Sequence, residues 1–199
     1  MRRDHHSECR DLFRRSLFIV GEFGGNDYAA ALGAFLPLQK VHTFVPHIVD
    51  SIGKGIEVRV TDMPPAFVPQ FSFPHVHYPQ SSFRPPAGVC ALVQKLIAEG
   101  AVELVVPGVL PIGCFPMYLT IFRKQPEMYG PRSGCIKDLN TLSWVHNALL
   151  QRKIAELQKK HPGVRIIYAD YYTAVMQFVL HAEKWGESPS SLVLFASWH

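Results

Sequence analysis

Three short apolar runs constrain the fold most. Ser16-Leu17-Phe18-Ile19-Val20-Gly21, Val102-Glu103-Leu104-Val105-Val106-Pro107-Gly108 and Val164-Arg165-Ile166-Ile167-Tyr168-Ala169-Asp170 each have the length of a strand and end on a turn-forming residue. Nearly continuous runs of this kind belong to strands buried on both faces. Segments with helical spacing lie between them, and such alternation implies an α/β fold with a parallel sheet. The 199 residues make one ordinary domain, and 48% apolar against 18% charged residues is enough to fill a core. No stretch reaches the ~18 consecutive apolar residues of a membrane span, so none is expected. The opening MRRDHHSECRDLFRR has no apolar run of the secretory kind.

The helical segments follow from spacing. Gly24 and Gly25 allow a sharp turn after the first run, and Asp27 reads as the N-cap of Tyr28-Ala29-Ala30-Ala31-Leu32. Val45, Val49, Ile52 and Ile56 mark a helix over 44–57. A long helix is predicted over 135–160 with Leu142, Leu149, Ile154 and Leu157 inward, and Pro162-Gly163 stops it. Another is predicted over 172–182.

Residues 58–94 differ in texture. They hold seven of the sixteen prolines, with Phe67, Phe71, Phe73 and Phe83, and show no sustained period. Joining Glu57 to Lys95 aligns Val49, Ile52, Ile56, Leu96 and Ile97 as one amphipathic stripe ending at Gly100. The segment therefore reads as an insert within a helix. An opening Val and a closing Gln are also what the GT and CAG borders of an unspliced intron encode. A genuine proline-rich loop is the alternative.

Charge and metal-binding patterns exclude several classes. The net charge is +4, and the five arginines among the first fifteen residues are interleaved with Asp4, Glu8 and Asp11. That is a solvated surface, and no nucleic-acid partner is expected. Cys9, Cys90, Cys114 and Cys135 have no zinc-finger spacing. His75 and His77 form an isolated pair in the proline-rich segment, too few ligands for a metal site, so no metal is expected. His42, His47 and His146 read as polar-face residues of helices. Asp170 fits either a functional position at a strand end or a helix cap. Gly21, Gly24 and Gly25 lack dinucleotide-binding spacing.

The runs SLFIVGEFGGNDY, VELVVPGVLPIGCFP, GCIKDLN and IIYADYYTAVMQFV closely resemble, in order and spacing, the plant GDSL esterase/lipase family of the SGNH hydrolases. The resemblance implies a three-layer α/β/α sandwich with a parallel sheet, flavodoxin-like in outline. It also implies hydrolysis of small-molecule or lipid carboxylic esters through a serine acyl-enzyme, with no cofactor. Of the family's four signature residues, only the asparagine of Gly-x-Asn-Asp is matched. The match makes Asn26 the oxyanion-binding residue and Gly24, Gly25 and Asp27 its supporting loop. An ester carbonyl becomes an oxyanion in the transition state, and a fixed side-chain amide donates to it. On local residues alone, Asn26 also fits a turn.

No Gly-Asp-Ser, Gly-x-Ser-x-Gly or Asp-x-x-His occurs in the sequence. The expectation is a partial hydrolase domain over 1–199, truncated at both ends and lacking the nucleophile Ser and the catalytic Asp and His. The alternative is a noncatalytic product that at most binds a partner through exposed sheet edges. Family members usually carry a secretion signal, which implies an extracellular location for the family; the chain as written is expected in the cytoplasm. Cys114 and Cys135 fall where family members have cysteines, which implies a disulfide. Two free thiols are the alternative in a reducing compartment. Phe115, Met117, Tyr118 and Phe122 read as core ahead of acyl-pocket lining.

Overall fold

The apolar runs at 102–108 and 164–170 become neighbouring strands, and the computed structural model describes residues 5–57, 96–122 and 126–185. β1 (Leu17–Ile19), β2 (Glu103–Pro107) and β3 (Arg165–Ala169) form a parallel sheet in the order β1-β2-β3. Leu17 pairs with Glu103, and Glu103 with Arg165, so one register runs across all three strands. Parallel strands place their carboxyl ends at one edge, and loops there hold functional groups in open α/β sheets.

Seven helices accompany the sheet among the described residues: α1 (His5–Arg14), α2 (Gly25–Gly33), α3 (Leu38–His42), α4 (Val45–Glu57), α5 (Pro116–Ile121), α6 (Lys137–Lys160) and α7 (Tyr171–Leu180). The α4 stripe forms as its spacing predicts, with Val45, Val49, Ile52 and Ile56 all buried. It packs on α6, where Gly53 leaves room for the Lys153 stem; a Cβ there would sit 2.8 Å from Lys153 Cδ. Lys153 Nζ reaches Asp50 Oδ1 at 3.1 Å, and Lys54 Nζ reaches Asp50 Oδ2 at 2.8 Å. Leu104, Val106 and Ile166 share one core with Leu142, Leu150 and Ile154 of α6.

Several sequence expectations need correction. β1 is not buried on both faces: Leu17 is 58% and Ile19 65% exposed. It pairs with β2 alone, so one of its edges and one of its faces lack a neighbour among the described residues. On the long helix Leu150, not Leu149, is fully buried, while Leu149 packs at the core margin. α1 was not expected; its Phe13 is buried and meets Phe18 edge-on at 5.1 Å between ring centroids. α7 has no buried residue, although it is largely apolar. No described helix is long and apolar enough to cross a membrane.

Leu96–Gly100 forms a turn. Ala101 N–H donates to Leu96 O at 2.8 Å, Gly100 N–H donates to Ile97 O at 3.1 Å, and Gly100 has φ +105°. This bond pair with a left-handed glycine is a Schellman termination. The proposed insert at 58–94, with His75, His77 and Cys90, lies outside the described residues.

Candidate active site

The turn after β1 is built on Gly24. Its φ of 98° is the left-handed region that glycine adopts without steric cost, and it is the N-cap of α2. Asp27 is therefore not the cap. The helix begins two residues earlier, and Asp27 sits in its first turn, where a carboxylate suits the positive end of the dipole. Gly24 and Tyr28 are buried while Asn26 and Asp27 are exposed, and Tyr28 N–H donates to Gly24 O at 3.0 Å. Asn26 thus stands in solvent on a turn whose two ends are buried.

His146 is the residue that sequence reasoning placed wrongly. It is fully buried, not on a polar face, and Tyr28 Oη lies 2.7 Å from its Nδ1. A Cβ on Gly24 would lie 2.9 Å from His146 Cε1 and 3.1 Å from Ile48 Cγ2. One imidazole therefore touches both ends of the Gly24–Tyr28 turn. Burial lowers its pKa to about 4 and, followed by the nearby Asp27 charge, pushes the Tyr28 hydroxyl above its ordinary range.

The loop after β2 is held by the same helix. Asn147 Oδ1 accepts from Val109 N–H at 2.8 Å, and its Nδ2 donates to Val109 O at 3.0 Å. Ser143 Oγ accepts from Ile112 N–H at 3.1 Å, and Asn140 Oδ1 accepts from Gly113 N–H at 2.9 Å. Glu22 Oε1 accepts from Leu110 N–H at 3.4 Å, tying the loop after β1 to the loop after β2. Buried Ser143, His146 and Asn147 interrupt the apolar stripe of α6. Polar residues inside an apolar stripe signal hydrogen-bonded burial, and that pattern was available in the sequence.

Cys114 and Cys135 form a disulfide that fastens the start of α5 to the start of α6. The chain-entropy model gives such a loop roughly 3 kcal/mol. The Cys114→Ser/Cys135→Ser chain is expected to lose about that much in urea denaturation; unchanged stability would contradict it. Tyr118 is buried and stacks on Phe115 and Phe122, whereas Met117 is half exposed. Asp170 Oδ1 accepts from Thr173 N–H at 2.9 Å and caps α7. His42 is half-buried and His47 exposed. No group of metal-ligating residues occurs among the described residues. A recess of about 410 Å³ between Glu103, Gln158 and Arg165 lies at the opposite end of the strands from Asn26.

Fold and turn together are those of an α/β protein with a glycine-built turn at the carboxyl end of a strand. No protein-family model matches the chain. A GDSL esterase/lipase of Arabidopsis thaliana is 33% identical over 183 residues, 92% of this chain and 45% of its own. A second from the same plant is 36% identical over 186 residues, 93% of this chain and 40% of its own. A third is 30% identical over 181 residues, 90% and 37% respectively. Over the stretch it shares with them, the chain is similar to plant GDSL esterase/lipases. It spans less than half the length of these curated relatives.

Proposed function

We propose that the chain carries the oxyanion-binding part of a carboxylic ester hydrolase active site, and that its 199 residues alone do not turn esters over. The observation that carries this reading is Asn26, exposed at the carboxyl end of β1 between two buried anchors. Attack on an ester carbonyl places negative charge on oxygen. A side-chain amide on the first turn of α2, near the positive end of a helix dipole, is suited to that charge. Small-molecule or lipid esters are the substrate class that the names of the relatives support. No Gly-Asp-Ser or Asp-x-x-His occurs in the sequence, which supports the reading that these residues do not supply the attacking group and its base.

A chimera tests the assignment of Asn26. Replacing the matched stretch of an Arabidopsis relative by this chain is expected to keep ester hydrolysis, and Asn26→Ala within it to lower kcat by roughly two to three powers of ten. A loss of less than threefold would remove Asn26 from that role. The isolated chain is expected to hydrolyse p-nitrophenyl butyrate no faster than its Asn26→Ala variant. The noncatalytic reading is favoured by the exposed Leu17 and Ile19, an apolar pair on a strand whose outer edge is unpaired among the described residues, the kind of edge that recruits other chains.

A further inference from the structure

We propose that His146 is the positioning residue for Asn26: its Nδ1 accepts the Tyr28 hydroxyl hydrogen while its ring edge supports Gly24, so one side chain sets both ends of the turn. This rests on reading Asn26 as an oxyanion donor. The two contacts are made by one buried ring, and the residues they hold are 118 and 122 positions away in the chain.

The direction of the hydrogen bond follows from counting unsatisfied groups. His146 Nε2 is buried and has no hydrogen-bond partner among the described residues. If Tyr28 donates, the imidazole carries its proton on Nε2, and that one N–H is left unpaired. If Nδ1 carries the proton instead, the Tyr28 O–H loses its acceptor and Nε2 is left as a bare lone pair. The first arrangement strands one polar group and the second strands two, and each buried unpaired group costs free energy. His146 is therefore the Nε2–H tautomer, oriented by Tyr28. Without a partner among the described residues, the Nε2–H is a local cost borne to hold the loop.

The geometry separates this device from the rest of α6. Asn140, Ser143 and Asn147 hold the loop after β2, while His146 alone reaches the turn after β1. Removing the Tyr28 hydroxyl should therefore move Asn26 and leave Val109, Ile112 and Gly113 where they are.

Nuclear magnetic resonance on the uniformly ¹⁵N-labelled 199-residue chain at neutral pH tests this directly. Long-range ¹H–¹⁵N correlation is expected to show His146 as the Nε2–H tautomer. Tyr28→Phe is expected to shift or broaden the Asn26 side-chain amide pair and the Gly25 and Asn26 backbone amides, with the Val109, Ile112 and Gly113 amides unmoved. An Nδ1–H tautomer in the parent, or Asn26 signals unchanged in Tyr28→Phe, would overturn the proposal. If Tyr28→Phe does not fold, His146→Asn and His146→Leu decide. The Asn side chain keeps an acceptor at the Nδ1 position and is expected to preserve the Asn26 signals better than Leu; equal displacement in both would overturn it. The signals report where Asn26 is held, so they stand apart from the chimera, whose failure would remove the oxyanion role and leave the positioning intact.

Discussion

Removing residues 58–94, so that Glu57 joins Lys95, is expected to raise the thermal unfolding midpoint by roughly ten degrees. We propose that this segment interrupts a single helix, and two features support the proposal. α4 runs to Glu57 with its stripe still buried at Ile56, and Leu96–Gly100 carries the bond pair of a Schellman motif, the way helices commonly end. On loop-closure scaling, joining two ends across a segment of this length costs about 3 kcal/mol of chain entropy, and the deletion removes that cost. For a chain of this size each kcal/mol moves the midpoint by roughly two to four degrees. Far-ultraviolet circular dichroism during a thermal scan gives the answer. A lower midpoint in the deleted chain, or loss of the cooperative transition, would show that these residues are a needed part of the fold.

Acid should weaken the fold in a window set by His146. Burial holds its pKa near 4 in the folded state, against an ordinary value of 6.5. Between those values the unfolded chain binds a proton that the folded chain refuses, so stability rises with pH there and falls as the solution is acidified. The difference amounts to roughly 3 kcal/mol between pH 7 and pH 4, in order of magnitude. Asp50 acts separately. Hydrogen bonds from Lys54 and then Lys153 hold its carboxyl below the usual range, so its contribution is lost only at pH values under 3.8. Urea denaturation of the parent and of His146→Asn across pH 4 to 7 resolves the two. The parent is expected to lose stability over this range and the variant to lose clearly less; parallel slopes would contradict the assignment to His146.

Much of the scaffold was legible because its signals are local. β2 and β3 announce themselves as apolar runs, and α4 as a four-residue stripe that the structure buries completely. The left-handed turn at Gly100 was readable for the same reason, since a glycine after an apolar turn is a local termination signal. β1 misled because burial depends on neighbours: its sequence matches a two-sided strand, yet it has a partner on one side only among the described residues. α1 was invisible because its helix is largely polar, with Phe13 the buried residue among its described side chains.

The candidate site divides in the same way. Gly24-Gly25-Asn26-Asp27 was visible as a motif, but its support was not. Tyr28 and His146 are 118 residues apart, and nothing in either local sequence pairs them. A histidine on a long charged helix reads as surface until the turn it meets is known. Asn140, Ser143 and Asn147 were passed over because polar residues are ordinarily assigned to solvent, even where their spacing places them beside an apolar stripe. Here they face backbone N–H groups of a loop that would otherwise be buried unpaired.

The central claim is that this polypeptide retains the loop suited to a developing negative charge without the group that attacks. Intact-mass spectrometry after incubation with a serine-directed fluorophosphonate tests it most directly. The predicted result is an unmodified mass for the 199-residue chain, identical before and after denaturation. One saturable adduct per chain, formed only while the protein is folded, would place a working nucleophile among these residues and contradict the account.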